Sequence, residues 1–202
     1  MEGKYMKKNM WKIAVAMLLG ASLMACGSGK STSDSGSGDS KAEVSSQAGE
    51  NAKKKIGVLQ YVQHPALDKA NEGFVAALKE AGVDVDIEQE NAGGEQSAAQ
   101  TIANKLVNDK KDLILAIATP AAQAAAGATS DIPVVITAVT DPADSGLVES
   151  NDKPGGNVTG SSDLTPVADQ IELLTKILPD AKNVGILYCT AEANSKLQAG
   201  LA

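Results

Sequence analysis

Thr119-Pro120-Ala121-Ala122-Gln123 puts a hydroxyl and a proline at the head of an alanine-rich run. Thr before Pro is an N-cap arrangement. The free N–H groups and partial positive charge of a helix start suit a carboxylate, although the same residues also read as an ordinary cap. In Thr140-Asp141-Pro142 the acid stands after an apolar run, where it could meet a ligand ammonium or simply open a turn ahead of proline. Asp163 is a further acidic candidate. Tyr61 and His64 share one short loop; the tyrosine offers a ring to stack on an apolar solute or to cover the fold. His64, the only histidine, has no partner motif and reads as a surface hydrogen-bonding residue. Gly155-Gly156-Asn157-Val158-Thr159-Gly160 invites a phosphate-loop reading but lacks the Lys-Ser/Thr that would reach phosphate and magnesium. With no nucleophile elbow, zinc spacing or dinucleotide fingerprint, no catalytic residue, metal or cofactor is expected.

The charge balance narrows the partners. The chain carries a net charge of −7, and all 18 of its basic residues are lysine. Lys4, Lys7, Lys8 and Lys12 belong to the first 25 residues, so the remainder is more acidic still. Such a body repels nucleic acid. Without arginine it cannot grip an anion with a bidentate guanidinium fork, which leaves backbone N–H groups, hydroxyls or lysine for that task. Beyond the N-terminal segment the only aromatic residues are Tyr61, Phe74 and Tyr188.

The elements that must position these residues alternate. Ile56–Gln60 is a short apolar run, predicting a buried strand. Leu67, Ala70, Phe74, Leu78 and Ala81 fall at helical spacing between Pro65 and Gly82, a start and a stop. Val83–Glu90 alternates apolar and acidic residues, as an edge-like strand with one wet face does. Ala99, Ile102, Ala103 and Leu106 predict a second helix. Asp112–Ala118 is a buried strand, Pro120–Ala128 a short helix, and Ile132–Val139 another strand. Repeated strand and helix predict a parallel sheet with helices on both faces, a doubly wound α/β lobe over residues 53–163. In such sheets ligands sit beyond the carboxyl ends of the strands, which selects the loops after Gln60, Ala118 and Val139. A second, incomplete α/β lobe is expected over 164–202: a helix opened by Pro166, a strand Asn183–Tyr188, and a helix from Ala193 to Ala202.

The first 52 residues read as an address and a tether. Lys7, Lys8 and Lys12 precede an apolar run Ile13–Leu23, shorter than the ~20 residues of a membrane span and typical of a secretory signal over 1–25. Leu23-Met24-Ala25-Cys26 resembles the lipobox of bacterial lipoproteins, which implies lipidation at Cys26 and a membrane anchor. Residues 26–52 are rich in Gly, Ser and charge. They predict a flexible tether with a reach of ~25–30 Å. Cys26 and Cys189 have unrelated settings, and no disulfide is expected.

The ordered segments together resemble the ABC transporter substrate-binding lipoproteins of the tryptophan/tyrosine type (ABC_sub_bind). They are Ile56–Gln60, Gly73-Phe74, Ala118–Gln123, Thr140–Pro142 with Gly146–Val148, Gly155–Gly160, Gln170–Leu174, Leu178-Pro179, Val184–Tyr188 and Glu192–Ser195. The resemblance implies a two-lobed clamp of the type I periplasmic-binding kind that holds an amino acid or related small solute, with an ABC permease and its ATPase as partners. It implies that Thr119, Ala121, Ala122, Thr140 and Asp141 supply the first lobe's share of the site, beside which Tyr61 could stack on the solute. Tyr188, Glu192, Asn194 and Ser195 would begin the second lobe's share, and Asp163 would stand near the crossing between lobes. Cys189-Thr190 departs from the family's usual Asn-Pro. Members of the family continue further, so the sequence as written is expected to be truncated and to bind its solute poorly. A ligand-sensing domain of the same shape and a non-functional truncated copy are the alternatives. A lipid-anchored hydrolase would need a nucleophile and a base that the sequence does not offer.

Overall fold

The computed structural model describes residues 53–202. The expected signal peptide, Cys26 and the tether therefore lie outside the described residues. The order of elements is β1 (Lys54–Gln60), α1 (Pro65–Glu80), β2 (Val85–Asn91), α2 (Gln96–Asn108), β3 (Leu113–Ile117), α3 (Thr119–Ala128), β4 (Val134–Val139), β5 (Val158–Ser162), α4 (Val167–Ile177) and α5 (Ala193–Leu201). The five strands form one sheet in the order β2-β1-β3-β4-β5, and every pairing is parallel.

Period-two alternation in the central strands sends side chains to two layers. Leu59, Ile114, Ala116, Val134 and Ile136 face α2 and α3, where Ala99, Ala103, Leu106, Ala121, Ala122 and Ala125 meet them. Val58, Leu115 and Ile117 face the other way, toward Leu67, Ala70 and Phe74 of α1. Helices on both faces make the lobe doubly wound. Small residues let them approach closely: a Cβ on Gly57 would stand 2.8 Å from Leu106 Cδ2, so the glycine is where α2 presses on β1. At Gly160 a Cβ would overlap the Ile136 carbonyl oxygen and come within 2.7 Å of its nitrogen, and β5 lies against β4 only because nothing is there.

The helix ends follow local chemistry. Pro65 opens α1, and His64 caps it by accepting the Ala66 N–H at its Nδ1. At the other end Gly82 turns with φ +68°, and the Val83 N–H returns to the Leu78 carbonyl, the six-to-one bond that closes a helix C-terminus. β2 is the acidic edge strand expected. Its Glu88 and Glu90 are held by Lys105 of α2, and Lys111 adds a second cation to Glu88. These bonds keep the Glu88 carboxyl low, at about 2. The charges also blunt an edge that would otherwise invite another strand.

Two expectations fail. Asn183–Tyr188 is not a strand: no neighbour among the described residues pairs with it, and Val184, Ile186, Leu187 and Tyr188 are all exposed. Aliphatic residues favour a pleat only where a partner offers hydrogen bonds and cover. Thr119 is not an N-cap; Ala118 occupies that position and Thr119 is the first helical residue.

Candidate functional site at the carboxyl rim of the sheet

β3 and β4 are adjacent and parallel, so the residues that follow them share one rim. Ala118 joins β3 to α3 with φ 85° and ψ 153°, a backbone region essentially reserved for glycine, costing about 1–3 kcal/mol in other residues. The Ala118 N–H remains tied to the Thr137 carbonyl at 3.1 Å. The sharp turn thus starts α3 at Thr119 directly off the strand. Thr119, Pro120, Ala121 and Ala122 are all buried. Thr119 is 2% exposed, and its Oγ1 has no hydrogen-bond partner. The first amides of a helix have no acceptor within it. The rim therefore presents a buried hydroxyl beside the Thr119 and Ala121 N–H groups.

β4 reaches the same rim through an irregularity. Its register with β5 shifts between Ile136 and Val139, and Ala138 takes φ 54°. The extra residue puts Val139, rather than Ala138, in the layer of Ile136. Thr140 follows and is buried. Its carbonyl accepts the Ser162 hydroxyl at 2.5 Å, and its Oγ1 receives the Gln198 amide at 3.3 Å. That last bond brings α5 to the end of β4. Asp141 folds the following turn: its Oδ1 accepts the Ala143 and Asp144 N–H groups and the Asn151 side-chain amide at 3.0–3.1 Å. Asn151 and those amides hold its carboxyl below the ordinary range. The turn reading of Asp141 is thus realised in the structure. Gln123 of α3 donates to the Ser145 carbonyl at 3.1 Å, locking the turn to the helix.

Tyr61 stands on the same rim at the end of β1, half-buried against the α2–α3 layer. Burial pushes its phenol up, helped by the negative charges of Glu192, Cys189 and Glu95. Residues 189–198 therefore face both Tyr61 and Thr140. Glu192, Asn194 and Ser195 are half-buried there, and Asn194 Oδ1 is another buried atom with no partner. Ser195 Oγ accepts the Cys189 N–H at 3.3 Å, and Cys189 is a free, exposed thiol. Asp163 continues the ladder by donating its N–H to the Val139 carbonyl at 3.0 Å, but its side chain is exposed. Tyr188 is also exposed and instead lines a hollow of about 420 Å³ with Ser195, Gln198 and α4. That hollow is not lined by Thr119, Thr140 or Asp141. Among the described residues no cluster of His, Cys, Asp and Glu could hold a metal ion.

Sequence reasoning missed three groups at this rim. Gln60 is 4% exposed; as a polar end to the apolar run Ile56–Leu59 it carried a signal. Ser145, whose buried Oγ also lacks a partner, and Gln198 gave none, because their roles depend on tertiary contacts.

A family model described as ABC transporter substrate binding protein matches residues 55–201. A tyrosine-binding protein of Clostridioides difficile is 43% identical over 195 residues, covering 95% of this chain and 55% of its own. The crystal structure of an ABC domain in complex with L-Trp, from Streptococcus pneumonia, superposes with a TM-score of 0.71 at 45% identity over 74% of this chain and 52% of that one. A ligand-free, open substrate-binding protein with adhesive properties from Clostridium difficile matches with a TM-score of 0.60 at 50% identity, over 73% and 52% of the two chains. The chain thus spans about half the length of these relatives.

Proposed function

The chain belongs to the ABC transporter substrate-binding protein family, and on that premise we propose that its carboxyl rim is one jaw of a clamp for an amino acid carried outside the cell. The role is capture and delivery to a permease and its ATPase, without chemistry on the solute. An aromatic amino acid is the best candidate, since one relative is named for tyrosine and another was crystallised with L-Trp. Residues 53–163 supply the first jaw in this reading, and 164–202 begin the second. The lipobox at Cys26 would hold the protein to the outer face of the membrane, with residues 26–52 as the tether.

The observation that carries this reading is the Thr119 hydroxyl, buried and unpaired at the start of α3. A buried polar atom without a partner costs about 1–3 kcal/mol, a cost that a bound carboxylate would offset. In a chain without arginine, this hydroxyl and the Thr119 and Ala121 amides are the natural cradle for that carboxylate. Asp141 is ionised, and the bonds named above all fall on Oδ1; Oδ2 would take the solute ammonium. Tyr61 would cover the side chain, while Glu192, Asn194 and Ser195 close from the other side. Thr119 is already buried, so in this reading the rim opens to admit a solute, as hinged clamps do. Titration calorimetry with L-tyrosine, L-tryptophan and L-leucine tests the proposal. Saturable binding of the aromatic pair in preference to L-leucine, weak as the sequence predicts and with the solute unconsumed afterwards, is expected; heats no greater than buffer for all three would refute it.

A further inference from the structure

Gln60 ends β1 with its side chain buried, yet every polar atom of that amide is engaged. Its Nε2 donates to Asp68 Oδ1 at 2.7 Å and to the Val62 carbonyl at 2.9 Å. Its Oε1 receives a long bond from Asn71 Nδ2 at 3.4 Å, and Asn71 also reaches Gln89 Oε1 on β2 at 2.8 Å. One amide thereby ties the strand end, the loop after it, α1 and the edge strand together. The backbone around it is equally constrained. The Tyr61 N–H donates to the Ile117 carbonyl at 3.1 Å, and the Tyr61 carbonyl accepts the Gly94 N–H at 2.8 Å. The Gln60 carbonyl accepts the Ala92 N–H at 2.9 Å. Tyr61 is gripped through its own backbone, while its neighbour Val62 is gripped by the Gln60 side chain. An apolar side chain at position 60 would leave the Val62 carbonyl without this donor and loosen the turn on which the ring is carried, with the Tyr61 backbone bonds still in place.

We infer that Gln60 is a positioning residue for the solute site, fixing the Tyr61 ring at the rim through Val62 and α1 without touching the solute. The inference rests on the clamp reading above and adds to it the source of aromatic preference. A loop of this length has only two soft torsions per residue; anchoring residues 60, 61 and 62 leaves the ring little but its own side-chain torsions. A preorganised ring face offers a flat, aromatic solute a stacking partner with less freedom lost on binding, and an aliphatic side chain, which makes no such stack, gains less from it.

Two readouts on the full chain, with Gln60→Leu and the milder Gln60→Asn, separate the inference from its premise. The first needs no solute. The Tyr61 phenol titration, isolated by subtracting the Tyr61→Phe spectrum, is expected to lie above the ordinary tyrosine value in the parent. Its environment consists of burial, Glu192, Cys189 and Glu95. In Gln60→Leu or Gln60→Asn the midpoint is expected to fall back toward that of an exposed tyrosine while far-ultraviolet dichroism stays unchanged. The second readout is the affinity ratio of L-tyrosine to L-leucine, expected to drop about tenfold in the variants with the leucine affinity little altered. Folded variants that retain the parent's phenol titration would overturn the inference, as would an unchanged affinity ratio. If the parent binds neither amino acid the clamp reading fails, and the phenol titration alone still decides whether Gln60 places the ring.

Discussion

Leu113–Ile117 and Val184–Leu187 are both short runs dominated by aliphatic residues, and they meet opposite fates. In the first, Ile114, Leu115, Ala116 and Ile117 are 0–1% exposed between β1 and β4. In the second, Leu187 is fully exposed, Val184 and Ile186 are about half exposed, and no strand forms. The same contrast runs through the helices on either side. α2 buries Ala99, Ala103 and Leu106, whereas α4 has the larger apolar share yet buries only Val167 and leaves Leu173 and Ile177 in solvent. Apolar patterning states what a segment can bury; neighbours decide whether it does. Residues 54–162 supply each other's neighbours, whereas most of α4 and residues 184–188 lack comparable cover.

The contrast predicts unequal sensitivity to truncation of side chains. Leu106→Ala removes a fully buried side chain from between α2 and Gly57, and should cost about 3 kcal/mol. Ile177→Ala, at 66% exposure, should lie within about 0.5 kcal/mol of the parent. Urea unfolding midpoints decide it, and a cost at Ile177 matching that at Leu106 would mean that 164–202 has a core of its own in solution. A smaller effect of opposite sign is expected at the turn into α3. Ala118→Gly relieves a backbone that disfavours a Cβ and should stabilise the chain by about 1 kcal/mol, read from the same midpoints. The smallest effect concerns β2, the edge of the sheet. The carboxyl of Glu88 is held at about 2 against a usual 4.5 by Lys105 and Lys111. Its contribution is therefore full above pH 4.5 and fades as the pH falls toward 2. Glu88→Gln should flatten that part of the stability curve. An unaltered acid limb would place the ion network outside the folding balance.

Much of residues 54–162 was legible because each element announces itself locally. The apolar runs of β1, β3 and β4, the alternation of β2, and the Pro65 and Gly82 punctuation of α1 all follow from nearest neighbours in sequence. That Thr119 and Thr140 share a rim followed from parallel topology alone. What could not be read required contacts across the chain. The demotion of Thr119 from cap to first helical residue depends on the torsions of Ala118, which no residue type at that position foretells. The turn at Asp141 was one of two readings the sequence allowed, but the part Asn151 plays in it, ten residues on, was not legible, and the bulge at Ala138 depends on the pairing with β5. Asn183–Tyr188 had the composition of a strand and lacked a partner, which composition does not record.

The central claim is that the unpaired hydroxyl of Thr119 is kept for a solute carboxylate. Thr119→Val, nearly the same shape without the oxygen, puts it to the most direct test in paired measurements of unliganded stability and L-tyrosine affinity. Stability should hold or rise, since a stranded polar atom is removed, while affinity should fall at least tenfold, about 1.4 kcal/mol. A variant that binds L-tyrosine as tightly as the parent would contradict the account.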